Sequence, residues 1–374
     1  MKNLVTKSRY LSLVVLLLSM TVAVTSLYIY NGTRIQAEEF ALGKENTSRS
    51  ESWDGVPFTG HNIADISAIV RYYSSPDLKK QTTIAWFGNS QLHTLNQFKP
   101  GEHLAPYWLR LLAPCQNCMV PLGLSLANAN PQEVFVLSQY VAKKVPLSAI
   151  VLEIEFMGFR EDGLRGDFSK IASADLVNAL HAYPVGKDLA SLVGGGTEKH
   201  DGEEKKSELD SVLQQETENF LSRKLGEIWP LWKDRVNLRT SLLGGLFNFR
   251  NFVFNISSQS QRKIIKPRYL RNMRALEDML ASCRDANIPV VLYFAPIRQD
   301  KPLPYDKTEY AHWEEQVDFL AKTYLASSIN LEKLVPPENW GSNFGLDIDF
   351  MHFQEPGHKM VAEALYPLIQ AKIK

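Results

Sequence analysis

Charge of one sign is what this sequence lacks. Lys plus Arg and Asp plus Glu number 41 each, so the chain carries no net formal charge at neutral pH. Without a global field nothing draws it onto a nucleic acid, and none is expected among its partners. Cysteine is scarce too, with only Cys115, Cys118 and Cys283. A structural zinc needs about four ligands, and Cys283 falls in a segment patterned as an ordinary helix, so neither a metal nor a cofactor is expected. A thioredoxin-like use of Cys115 and Cys118 lacks a βαβ context. Apolar residues are abundant: they make up 45% of the 374 residues, enough for a large core in one elaborated domain.

The amino terminus holds a long hydrophobic run. Residues 1–9, with Lys2, Lys7 and Arg9, precede the 24 uncharged residues 10–33. That length suits a transmembrane anchor, and the preceding positive charges place residues 1–9 in the cytoplasm and the rest on the periplasmic or extracellular side. Val24-Thr25-Ser26 would serve as a cleavage site if the run were a signal peptide; Tyr28 and Tyr30, at interface depth, favour retention. Either way the bulk of the chain is exported, and a local disulfide between Cys115 and Cys118 fits an oxidising compartment. Residues 34–55, polar and mixed in charge, are expected to be a flexible stalk.

From residue 56 onward the pattern is βα. Thr82 to Phe87 is a β-rich run that stops at Gly88-Asn89-Ser90, and Ala149 to Ile154 is a mostly apolar strand. Asn130-Pro131 has the form of an N-cap and first helical residue, leading into Val134, Leu137, Tyr140 and Val141. Met273, Leu276, Leu280 and Cys283 share a helical face before a strand at Ile288 to Phe294, and Pro356 opens a last helix with Val361, Ala364, Leu365, Leu368 and Ile369 on one side. A mobile loop and a helical insertion are expected over 194–262. The fold class is α/β with a mainly parallel sheet.

Two segments carry chemistry. Ligand sites in open parallel sheets lie beyond the carboxyl ends of strands, which is where Ser90 falls. A serine hydroxyl is a poor nucleophile until a base removes its proton, and Asp349-Phe350-Met351-His352 spaces a carboxylate and an imidazole so that they face each other on one turn. Ser90 by itself also has the form of a helix cap. Asp347, Asp349, His352 and His358 also have the chemistry of metal ligands, a reading that leaves the serine motif unexplained. His93 reads as a surface or supporting histidine, and Glu153 and Glu155 as sheet-end carboxylates without catalytic duty.

A strand ending in Gly88-Asn89-Ser90, followed near the other terminus by Asp349-x-x-His352 and Gly357-His358 before a final helix, resembles the first and last motifs of the SGNH, or GDSL-type, hydrolase superfamily, over residues 80–372. The resemblance implies a three-layer α/β/α sandwich, with Ser90 as nucleophile, His352 as general base and acid, and Asp349 as its orienting partner. It also implies an oxyanion hole built from the Ser90 N–H, a glycine matched by Gly123, and an asparagine. The Gly-x-Asn-Asp of the family is missing: Glu155-Phe156-Met157-Gly158-Phe159-Arg160 stands there, leaving Asn128, Asn130 or Arg160 as substitutes. In layout the chain is similar to membrane-anchored proteins of envelope-polymer acylation. The function expected is a membrane-anchored serine esterase or O-acyltransferase acting on acylated glycans or lipids of the cell envelope, with an envelope-assembly protein as a possible membrane partner. The alternative is a non-catalytic scaffold of an acylation complex.

Overall fold

A computed structural model describes residues 46–78, 81–114, 119–194, 261–341 and 349–373. The expected anchor at 10–33, the Cys115–Cys118 pair, Asp347 and nearly all of the 194–262 insertion lie outside these residues. Among the described residues no helix is long and apolar enough to cross a membrane.

In chain order the elements are the short strands β1 (Asn46–Ser48), β2 (Ser52–Trp53), β3 (Val56–Pro57) and β4 (Thr59–Gly60), helix α1 (Ile63–Tyr73), strand β5 (Thr82–Gly88), the single turn α2 (Ser90–His93) and β6 (Thr94–Asn96). There follow α3 (Ala105–Leu112), β7 (Met119–Ser125), α4 (Pro131–Lys144), β8 (Ala149–Ile154), α5 (Ala174–His181) and α6 (Pro184–Gly194). The carboxyl-terminal part contributes α7 (Lys266–Asp285), β9 (Val290–Phe294), α8 (Lys307–Thr323), β10 (Ser327–Asn330) and α9 (Glu355–Lys372).

Six strands form one sheet in the order β10-β9-β8-β5-β7-β4, every neighbouring pair parallel. Apart from half-buried Thr82 at the start of β5, the central strands are buried throughout, as a parallel sheet covered on both faces requires. Alternate residues feed two cores. Ala85, Phe87, Ile150, Leu152 and Leu292 pack under α1, α4, α7 and α8, whereas Ile84, Trp86, Val151 and Val291 pack under α3 and α9. The result is three layers, α/β/α.

The expected stalk is corrected at its end. Residues 46–55 are built into the folded unit: β1 pairs antiparallel with β6, and the Asp54-Gly55 turn, with both φ values positive, joins β2 to β3. Their polarity misleads because the polar groups are sequestered: the Glu51 carboxylate, 4% exposed, accepts the Leu104 N–H at 3.0 Å, and Asn46 is 3% exposed. Polar composition signals flexibility only where no folded partner takes up the side chains.

Trp313, fully buried, is ringed by Phe156, Phe159, Phe294 and Tyr310 with centroids 5.0–5.6 Å away. Trp313→Ala is expected to cost about 3–5 kcal/mol in urea unfolding. Trp313→Phe should cost much less, because the indole N–H has no hydrogen-bond partner among the described residues. Equal losses for the two variants would contradict this packing account.

Candidate active site

The site is assembled where β5 ends. Gly88 has no room for a side chain, since a Cβ there would meet the Glu153 carboxylate at 2.7 Å and Leu92 at 3.1 Å. The chain turns sharply at Asn89, whose Oδ1 accepts the Gln91 N–H at 2.8 Å and so caps α2. This puts Ser90 at the first position of the turn, at the carboxyl edge of the sheet and 6% exposed.

The partner segment curls around one carboxylate. Asp349 Oδ1 accepts the N–H groups of Met351 at 2.8 Å and His352 at 3.0 Å, a side-chain-to-backbone turn that brings position i+3 back over position i. Asp349 Oδ2 then meets His352 Nδ1 at 2.9 Å, and His352 Nε2 meets Ser90 Oγ at 3.0 Å. With Asp349 accepting at Nδ1–H, Nε2 is left as the acceptor for the serine proton. Gln91 Nε2 ties the two segments, donating to Met351 O at 2.8 Å and Pro296 O at 3.1 Å. On the far side, Gly357 packs flat on the Phe353 ring, so α9 starts close behind His352.

Electrostatics follow from burial and partners. Burial opposes ionisation of Asp349, but the adjacent His352 and hydrogen bonds from His352, Asn46 and the Met351 N–H outweigh it and hold the carboxyl down at about 2. It is an anion throughout the neutral range. Burial pushes Glu153 up to about 7, offset in part by the Tyr293 hydroxyl, which donates to Oε2 at 2.9 Å, and by the Asn89 N–H. Burial, reinforced by the charge of Glu153, pushes Glu155 up to about 8. Both carboxylates line a small cavity of ≈ 30 Å³ that reaches Gly88 and Asn89.

The other histidines have structural partners. His358 donates from Nε2 to Thr94 O at 3.1 Å and accepts the Ala105 N–H on Nδ1 at 3.3 Å, and burial lowers its pKa to about 3. His93 is buried rather than at the surface. Its Nδ1 lies 2.9 Å from Ser125 Oγ, its ring stacks on His61, and burial holds it well below the usual histidine range. Among the described residues no group of three His, Cys, Asp or Glu side chains converges as a metal site.

The sequence-based donors for an oxyanion fare unequally. The Ser90 N–H, at the start of its turn, has no intrahelical acceptor. Gly123 is not at the site: it lies within β7 opposite Trp86, and its N–H is spent on Phe58 O at 2.9 Å. Asn130 is committed as the cap of α4, its Oδ1 accepting the Glu133 N–H at 3.0 Å and its Nδ2 donating to Gly163 O at 2.9 Å. Arg160 turns to Lys263 O, 2.7 Å from its Nε, and to the Met157 sulfur. Asn128 is exposed in the left-handed region, φ 52°, and makes no hydrogen bond with the described residues. Its loop is held by Arg165, which bridges Ala127 O at 3.0 Å and Glu133 at 2.7 Å. Of the sequence-matched donors, Ser90 and Asn128 remain uncommitted. Asn46, Asn96 and Gln91 take part in the site with no sequence motif to announce them.

No family model matches this sequence, and no curated protein matches it. A solved structure from Bacteroides fragilis, described as a "putative acylhydrolase", is similar over 84% of this chain and 100% of that one, at 10% identity and a TM-score of 0.37. The reading of the site therefore rests on its own geometry.

Glu153 makes stability depend on pH. Its folded value of about 7 lies above the ordinary 4.5, so the unfolded chain releases this proton first. Its contribution is therefore fully present below about 4.5, falls as pH rises through about 7, and then levels, on the order of 3 kcal/mol in all. Glu155 adds a slope of the same sign that extends to about 8. Urea midpoints between about pH 5 and pH 8 should fall less steeply in Glu153→Gln than in the parent chain; an unchanged slope would contradict the assignment.

Proposed function

We propose that this chain is an exported serine esterase or O-acyltransferase that works through an acyl-Ser90 intermediate. The observation that carries the proposal is the unbroken hydrogen-bonded chain Ser90–His352–Asp349. His352 Nε2 takes the proton from Ser90 Oγ as the oxygen attacks an ester carbonyl, and the new C–O bond pushes the carbonyl electrons onto oxygen. The Ser90 N–H faces the resulting oxyanion, with Asn128 as the second donor. Collapse expels the alcohol, which takes its proton from His352. The acyl group then passes to water or to a second hydroxyl by the same steps in reverse order, while Asp349 holds the imidazolium throughout.

An envelope substrate near the bilayer suits the chain's layout. If residues 10–33 span the membrane, only residues 34–45 separate the bilayer from Asn46. Twelve extended residues reach at most about 40 Å. Acyl groups on glycans or lipids within that distance meet the site at raised local concentration, and an envelope-assembly membrane protein is the partner that fits this placement.

The scaffold reading keeps one observation in its favour: Gly123, Asn130 and Arg160 are all spent on structural bonds, so the oxyanion is served by fewer donors than the family pattern implies. Fluorophosphonate labelling separates the readings. The enzyme reading expects labelling of the folded chain, abolished in Ser90→Ala and slowed by about 10³–10⁴-fold in Asp349→Asn, where the wrong imidazole tautomer is favoured. A folded chain that takes no label at Ser90 is the scaffold.

A further inference from the structure

Asp349 is held by more than its own turn. Besides His352 Nδ1, its Oδ2 accepts Asn46 Nδ2 at 2.6 Å and Asn96 Nδ2 at 3.3 Å. The two asparagines are register partners in the β1–β6 ladder, and Asn96 Nδ2 also donates to Asn46 Oδ1 at 2.8 Å. Asn96 is fully buried, and its amide lies so close over Gly341 that a Cβ there would collide with it. Its backbone N–H donates to Phe353 O at 3.1 Å, gripping the residue after His352. The acid of the candidate triad thus sits at the junction of three chain segments, one of which is the first strand of the described chain.

We infer that Asn46 is a positioning residue for the reaction: seated by β1 on β6 and braced by Asn96, it fixes the plane of the Asp349 carboxylate so that Oδ2 faces His352 Nδ1. The two backbone N–H groups hold Oδ1; on the other side Oδ2 meets the imidazole that is to be oriented and the two asparagine amides. Asn46 supplies the short bond there, and Asn96 Nδ2 at 3.3 Å is too long to replace it. Among the described residues the titratable group facing the carboxylate is His352; Arg298 approaches only the Asp349 backbone carbonyl, at 3.4 Å. Seating of the segment that leads into the domain is thereby coupled to the orientation of the base. The inference deepens the acyl-serine proposal and shares its rate readout, but it also has a readout that needs no activity.

The test uses the full chain with Asn46→Ala and, as a near-isosteric check that removes the amide without adding a charge beside Asp349, Asn46→Leu. Thermal unfolding establishes that each variant is folded. Carbon-detected NMR titration of the Asp349 carboxyl, made in a Ser90→Ala background, should show its midpoint rising from about 2 in the parent by about one unit or more once this donor is lost. Fluorophosphonate labelling at Ser90 should slow at least about tenfold, with the acid limb of its pH profile displaced, a change that loss of packing alone would not produce. If Ser90 never labels but the midpoint moves, the positioning role stands and the catalytic reading falls. Folded variants with the parent's carboxyl midpoint and the parent's labelling profile would overturn the inference.

Discussion

One buried carboxylate organises the carboxyl-edge chemistry of this molecule. Asp349 lies 5% exposed in a setting that would neutralise a lone carboxyl, and it stays ionised because five donors converge on it: two backbone N–H groups, an imidazole and two amides. Each donor also has a structural consequence. The backbone pair folds the 349–352 turn, the imidazole is presented to Ser90, and the amides recruit β1 and β6. A neutral side chain at this position would loosen all three at once, leaving His352 without a fixed tautomer.

The sheet supplies the complementary half. β5 lies between β7 and β8, so the turn carrying Ser90 emerges flanked by two strand ends. On the β8 side the flank is Glu153, which accepts the Asn89 N–H at 3.4 Å and lies too close to Gly88 for any side chain there. On the β7 side, Leu126 N–H donates to Gly88 O at 3.2 Å, and Ser125 meets His93. A serine hydroxyl held on both sides in this way has little conformational freedom left to lose, which is what the proposed attack on an acyl group requires of it.

The parts legible in the sequence are those whose signal is local. The apolar run Ala149 to Ile154 and the β-rich run before Gly88 form β8 and β5, Asn130-Pro131 caps and starts α4, and Pro356 lies in the first turn of α9. The Asp349-x-x-His352 spacing reads directly as a carboxylate–imidazole pair because the turn that joins them is made by Asp349 itself. What stayed hidden depends on long-range pairing. β7, with Pro121 and Gly123 inside it, lacks an alternating pattern and is a strand because β5 and β4 lie on either side of it. β1 reads as a stalk because Asn46 gains its meaning from Asn96 and Asp349, 50 and 303 residues away. Gly123 matched a motif glycine by order along the chain, yet its N–H is consumed by Phe58, which sequence order cannot reveal.

The claim beneath all of this is that the Ser90 hydroxyl, relieved of its proton by His352, forms a covalent ester. Mass spectrometry of the folded chain, quenched in acid after brief exposure to a short-chain aryl acetate, reads that bond directly. The account predicts an acetyl group on the peptide that carries Ser90, absent from Ser90→Ala and strongly reduced in His352→Ala. An unmodified Ser90 peptide in the folded chain, or an acetyl group that persists at the same level in His352→Ala, would contradict it.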